Sequence, residues 1–154
     1  MADVVIDLID PKDNDTIVHL YNQVFRPERT AEFFHRRFKN RVNPLVMVAR
    51  IENEAVGFFV GMELKPSVFF AWLVGVLPDS TRMGIGAQLM RAAGNWAMER
   101  DYKAIRFECT NRHRAMMHFG IAENYDLLGI RWDADRGENL LIFEHSLAPI
   151  GGDL

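Results

Sequence analysis

The sequence predicts an α/β fold built on a mixed sheet of α+β type with helices on both faces, and three observations carry that prediction. Short apolar runs of strand length alternate with longer stretches of helical periodicity. The run "VFFAWLVGV" (Val68–Val76) is apolar at every position, as a strand buried on both faces requires. A glycine-rich turn, "MGIG", then joins that run to the strongest helical pattern in the chain, Gly84–Arg100.

Taken in order, "VVIDLI" (Val4–Ile9) alternates and reads as a strand. "DPKDND" supplies turn and cap residues before "TIVHLYNQVF", where Ile17, Leu20, Tyr21 and Val24 recur at helical spacing. Pro27 interrupts. "TAEFFHRRFKNR" follows with Thr30 as N-cap and Phe33, Phe34 and Phe38 as its apolar side. Arg36, Arg37, Lys39 and Arg41 read as its solvated face. Asn43–Pro44 ends that helix. "LVMVARI" and "AVGFFVGMEL" flank "ENE", a hairpin signal, and Lys65–Pro66 turns the chain into the central strand. Gly75 within that strand marks a bulge or a close backbone approach. In Gly84–Arg100, Ile85, Leu89, Ala92, Ala93 and Trp96 line one helical face. "KAIRF" (Lys103–Phe107) is a short strand, Ala115–Glu123 a short helix, and "YDLLGIRW" with "ENLLIFEHSL" a closing hairpin across "DADRG". The expected order is β-α-α-β-β-β-α-β-α-β-β. No repeat, low-complexity tract or linker divides it, so residues 1–154 read as one domain.

Composition narrows the function. The 154 residues are 49% hydrophobic and 25% charged, enough for a sizeable core. A net charge of −3 gives no global attraction to nucleic acid or to an anionic membrane. Met1–Leu8 lacks the basic and long apolar regions of a signal peptide, and no apolar run reaches spanning length, so a cytoplasmic protein is expected. One cysteine, Cys109, excludes an internal disulfide framework. Beside Glu108 it would point to the opposite strand face, as a small core residue. The five histidines show no metal-binding spacing.

The turn "VLPDSTRMGIGAQLM" (Val76–Met90) is the most informative stretch. The leading N–H groups of a helix lack intrahelical partners and carry partial positive charge. Glycines let an anion reach them, and Arg82 adds a formal charge. A P-loop would need a Gly-Lys-Ser/Thr ending, and a dinucleotide fingerprint would need a small residue where Leu89 stands. On local features, an anion site and a bare glycine turn both remain open.

The pattern V-x-V-x-P-x-x-x-R-x-G-I-G-x-x-L (Val74–Leu89) resembles the acetyl-CoA-binding signature of the GNAT N-acetyltransferase superfamily. Its first position, usually Gln or Arg, is Thr81 here, with Arg82 directly after it. The expected element order also resembles that superfamily's fold. The resemblance implies an acetyl-CoA-dependent N-acetyltransferase acting on a primary amine of a small molecule or peptide, with no nucleic-acid or membrane partner and a possible homodimer. It implies that the CoA pyrophosphate lies on Arg82, Met83, Gly84, Ile85, Gly86 and Ala87. It places the pantetheine along Val74, Gly75 and Val76, with Gly75 as a bulge that frees backbone groups. It also implies a pantetheine contact from His113 or Asn111.

The general base implied is Glu108, in "IRFECTN", which resembles a strand of the ribosomal-protein alanine N-acetyltransferases; Glu63 is the second candidate. The competing reading of Glu108 is a carboxylate facing solvent or fixed by Arg106 or Arg112. The family's acid tyrosine falls at Gly120 in "FGIAENY", so that acid is absent, and His118 or Tyr125 would have to substitute. A free thiol of pKa ~8.5 can leave without it. The other class of function is therefore a catalytically weak acyl-CoA-binding or sensor module. The acceptor region implied by the resemblance contains Phe25, Phe33, Phe34, Phe69, Phe70 and Trp72.

Overall fold

The computed structural model describes residues 3–147, and Arg82 by its backbone alone. The elements follow the expected order: β1 (Val4–Ile9), α1 (Asp15–Val24), α2 (Ala31–Phe38), β2 (Leu45–Ile51), β3 (Glu54–Lys65), β4 (Val68–Val76), α3 (Ile85–Glu99), β5 (Ala104–Thr110), α4 (Arg114–Ala122), β6 (Asp126–Asp133) and β7 (Glu138–Ser146). A 3₁₀ turn at Pro78–Met83 links β4 to α3. The strands form a seven-stranded sheet in the order β1-β2-β3-β4-β5-β7-β6. The β1/β2, β2/β3, β5/β7 and β6/β7 pairs are antiparallel and β4/β5 is parallel. Contacts gather the chain into two compact units, Met1–Glu63 with Trp72–Ala93, and Leu64–Ala71 with Gly94–Leu154.

In the first unit local chemistry sets each boundary. Thr30 Oγ1 accepts the Phe33 N–H at 3.3 Å, so the expected cap starts α2. Asn22 holds the α1–α2 loop from both sides: its Oδ1 accepts the Arg29 N–H at 2.8 Å, and its Nδ2 donates to the Arg29 carbonyl at 2.9 Å. Glu52 and Asn53 both take positive φ, 51° and 71°, in a two-residue loop between β2 and β3. That is the turn whose twist matches paired strands.

Alternation along β3 then places helices on its two faces. The Phe58 ring lies 6.5 Å from Tyr21 and 6.2 Å from Phe25, on the α1 side. Gly57 points the other way: a Cβ there would stand 3.1 Å from Ile85 Cγ2 and 3.5 Å from Leu89 Cδ1 of α3. Ile85 and Leu89 are fully buried there. Burying a side chain of that size stabilises by ~1.5–3 kcal/mol. Arg37 is exposed, as expected of the solvated face, and its guanidinium also lies over the Trp72 ring, 4.7 Å from the centroid.

In the second unit, α4 packs on the face of β5 and β7 that carries Phe107 and Phe143, whose rings stack 5.0 Å apart. Phe69 is fully buried against Trp96 and Tyr102, at 5.2 and 5.3 Å, so it belongs to the core and not to an acceptor site. Strand β5 runs three residues beyond the expected "KAIRF" and so carries Glu108 and Cys109. No helix of the described residues is long and apolar enough to cross a membrane.

Candidate active site

The parallel ladder between β4 and β5 runs from Val68↔Ala104 to Ala71↔Phe107. Strand β4 continues to Val76 and β5 to Thr110, so each has residues beyond the last registered pair. Val74, Gly75 and Val76 lie in that continuation of β4. Gly75 is there for close approach: a Cβ would meet Phe58 Cε1 at 2.4 Å and Phe25 Cε2 at 3.1 Å. Ring carbons occupy the space any side chain would need.

The chain leaves β4 through Leu77, whose N–H donates to the Val56 carbonyl at 2.8 Å. The 3₁₀ turn is closed by Ser80 N–H on the Leu77 carbonyl at 2.9 Å and by Thr81 Oγ1 on the Pro78 carbonyl at 3.2 Å. Thr81, where the signature carries Gln or Arg, thus serves the turn itself. Gly84 then takes φ +71°, and α3 starts at Ile85. A left-handed residue is needed here to redirect the backbone from the 3₁₀ turn into the helix, and glycine adopts it without a Cβ clash. Gln88 N–H donates to the Gly84 carbonyl at 3.1 Å. The amides of Ile85, Gly86 and Ala87 precede it and have no carbonyl upstream within α3.

The described atoms leave room at the Cβ positions of the two glycines. Among the described atoms, a Cβ at Gly84 would meet nothing within 4 Å, and one at Gly86 would reach Val76 Cγ2 at 3.8 Å and Val74 Cγ1 at 3.9 Å. The turn therefore stands beside the end of β4, as the sequence pattern requires. Met83 is exposed at its rim. The Arg82 side chain lies outside the described atoms.

Of the carboxylates, Glu63 stands near the end of β3, where its N–H donates to the Val42 carbonyl at 2.9 Å. Glu108 lies on β5 with its side chain about one quarter exposed and its Oε2 held by Arg131 at 2.8 Å. That corrects the expectation that Arg106 or Arg112 would fix it. Arg106 is taken by Glu144 at 2.7 Å and Arg112 by Glu138 at 3.3 Å. The partner is on β6, reaching across β7: Ile142 pairs with Glu108 on one side and with Gly129 on the other, and Arg131 follows two residues on. Nothing local in the sequence joins positions 108 and 131, because only the strand order brings them together.

His113 caps the approach to α4. Its Nδ1 accepts the Thr110 N–H at 3.3 Å, which leaves Nε2 as the protonated nitrogen of the neutral ring. Burial, opposed by Glu138 and aided by Arg136, holds its pKa below the usual histidine value. Asn111 is exposed in the turn before it.

The expected acid is structurally excluded at Gly120. A Cβ there would stand 3.0 Å from Phe143 Cδ1 and 3.1 Å from Phe107 Cζ. Tyr125, the tyrosine named as a substitute, is packed against Phe107 and Phe119 at 5.2 and 5.5 Å. Its ring stacks on His145 at 5.0 Å, and burial with Glu123 nearby pushes the phenol pKa above its usual value. His118 is exposed on α4. Cys109 is buried, with its thiol pushed up to about 11 by burial, so it behaves as a core residue. Among the described residues no group of three or more His, Cys, Asp or Glu could hold a metal ion.

The acetyltransferase (GNAT) family model matches residues 14–120, more than half of the chain, and spans β4, the glycine turn and α3. This chain belongs to the acetyltransferase (GNAT) family. An uncharacterized N-acetyltransferase of Archaeoglobus fulgidus is similar to this GNAT chain at 33% identity over 108 residues, covering 61% of this chain and 74% of that one. Among solved structures, the ribosomal-protein-S18-alanine N-acetyltransferase of Escherichia coli superposes with a TM-score of 0.82 at 15% identity, covering 99% of both chains. A GNAT family acetyltransferase of Elizabethkingia anophelis, solved with acetyl-CoA bound, gives a TM-score of 0.76 at 13% identity over 93% of this chain and 97% of that one. At those identities the superpositions speak for the GNAT fold.

Proposed function

We propose that residues 1–154 form one cytoplasmic domain that transfers an acetyl group from acetyl-CoA to a primary amine of a small molecule or peptide. The observation that carries this reading is the left-handed glycine turn opening α3 beside the end of β4, in a chain of the GNAT family. The residues fit the co-substrate. The amides of Arg82 through Ala87 would hold the pyrophosphate, with room at the Cβ positions of Gly84 and Gly86 among the described atoms. Val74, Gly75 and Val76 would follow the pantetheine and offer an N–H to the developing oxyanion. His113 would add a contact through its Nε2–H.

The thioester supplies an activated acetyl group. A neutral amine forms the new C–N bond as the C–S bond breaks, and its surplus proton passes to Glu108, with Glu63 as the alternative acceptor. The CoA thiol is acidic enough to depart as its anion, so the chemistry does not require the tyrosine that Gly120 replaces. Acetyl-CoA-dependent thiol release over an amine panel tests this. Glu108→Gln is expected to lower turnover ~10²-fold or more while acetyl-CoA affinity is retained. Unchanged turnover removes Glu108 as base. The packing of Gly120 against two rings favours a second reading, a catalytically weak acyl-CoA-binding module. Acetyl-CoA binding without thiol release from any amine would select it.

A further inference from the structure

The Glu108–Arg131 pair is only half used by its own contact. Arg131 Nη2 donates to Glu108 Oε2, and neither side chain has another hydrogen-bond partner among the described residues. The Arg131 side chain is 54% exposed, which leaves its remaining N–H donors available to a ligand. Glu108 Oε1 is left as an acceptor beside them. The pair therefore presents a carboxylate oxygen next to cationic donors, the complement of a ligand with an ammonium next to a carboxylate.

Room for such a ligand lies in the same row of the sheet. Gly129 pairs with Ile142, and Ile142 pairs with Glu108. Directly paired residues of antiparallel strands present their side chains on one face. A Cβ at Gly129 would meet nothing within 4 Å. The floor is thus bare beside the ion pair, with Ile142 between the two edges. Arg131 follows Gly129 on the same face because strand side chains repeat every second residue.

We infer that this pair, with the open position at Gly129, is the acceptor-recognition element and that the acceptor is a free α-amino acid. This rests on the acetyl-transfer reading above. Glu108 Oε1 takes the ammonium, and Arg131 takes the adjacent carboxylate through a charge-assisted contact. The ammonium first passes one proton by way of Glu108 to water, and the neutral nitrogen then bonds the acetyl carbon. The C–S bond breaks, CoA leaves as its anion, and the surplus proton passes from nitrogen to Glu108, giving the N-acetyl amino acid. Glu108 returns its proton to water.

The test compares free α-amino acids with their methyl esters and their decarboxylated amines, using acetyl-CoA and thiol release. The free acids are expected to have the higher kcat/KM, by about 10- to 100-fold, the factor a charged hydrogen bond supplies. Arg131→Gln is expected to collapse that ratio toward one through KM. Arg131→Lys should restore part of it, since a point charge replaces a planar fork. Gly129→Val keeps both charges and fills the floor, and it should raise KM for the free acids even if Arg131→Gln proves unstable. Turnover of esters and decarboxylated amines equal to or above that of the acids overturns the inference and leaves acetyl transfer standing. So does a ratio that Arg131→Gln does not move. Thiol release from no acceptor at all overturns the acetyl-transfer reading and this inference with it.

Discussion

Gly120 illustrates how packing decides chemistry at a single residue. Helix α4 comes down onto Phe107 and Phe143 so closely that a methyl group there would already touch both rings. A phenol cannot be restored by mutation alone. Gly120→Tyr is expected to give no gain in acetyl transfer and to destabilise the fold by at least ~1–3 kcal/mol, read by urea unfolding beside the turnover assay. An accelerated, stable variant would show that α4 is looser than this. Cys109 on the opposite strand face from Glu108 makes a prediction of its own. Its folded pKa, about 11, lies above the ordinary value of 9.0. The thiol's contribution to stability is therefore fully present below about pH 9 and is lost as pH rises toward 11. Two units correspond to roughly 3 kcal/mol. Urea unfolding from pH 8 to 11 should show that loss in the native chain over and above the loss in Cys109→Ala, where Tyr125 still contributes above pH 10.0; parallel curves would refute it.

At the scale of elements, the link from β4 through the 3₁₀ turn into α3 separates conformation from access. Gly84 is required by its backbone, at φ +71°, whereas Gly86 has ordinary backbone and open space. Gly84→Ala is expected to destabilise by ~1–2 kcal/mol, the cost of a Cβ in the left-handed region. Gly86→Leu should leave unfolding nearly unchanged and weaken acetyl-CoA binding at least ~10-fold by standing in the anion's path. Calorimetric titration together with unfolding distinguishes them. Equal acetyl-CoA affinity for Gly86→Leu and the native chain would remove the turn from the binding site.

For the whole molecule, a ligand held only by the folded chain must stabilise it. Acetyl-CoA at 100 times its Kd is expected to add ~2.7 kcal/mol, read as a rise in Tm. If residues 1–154 are one domain, near- and far-ultraviolet circular dichroism should report coincident urea transitions. Two separated transitions would refute a single domain. The absence of any Tm shift at millimolar acetyl-CoA would refute the co-substrate itself.

Much of this was legible without coordinates. Periodicity located every helix and strand in order, because each depends on neighbours a few residues away. Thr30 was readable as a cap and "ENE" as a hairpin for the same reason, and the spacing of Gly84 and Gly86 after a buried strand marked the turn. The ends were less legible: β5 continues through Glu108 to Thr110, where propensity alone suggested it stopped. What only the tertiary structure decided are the encounters between distant segments. Phe58 fills the space at Gly75, two phenylalanine rings exclude a side chain at Gly120, and Arg131 rather than Arg106 or Arg112 holds Glu108. Strand order and register set these contacts, and they join residues that no local pattern in the chain relates.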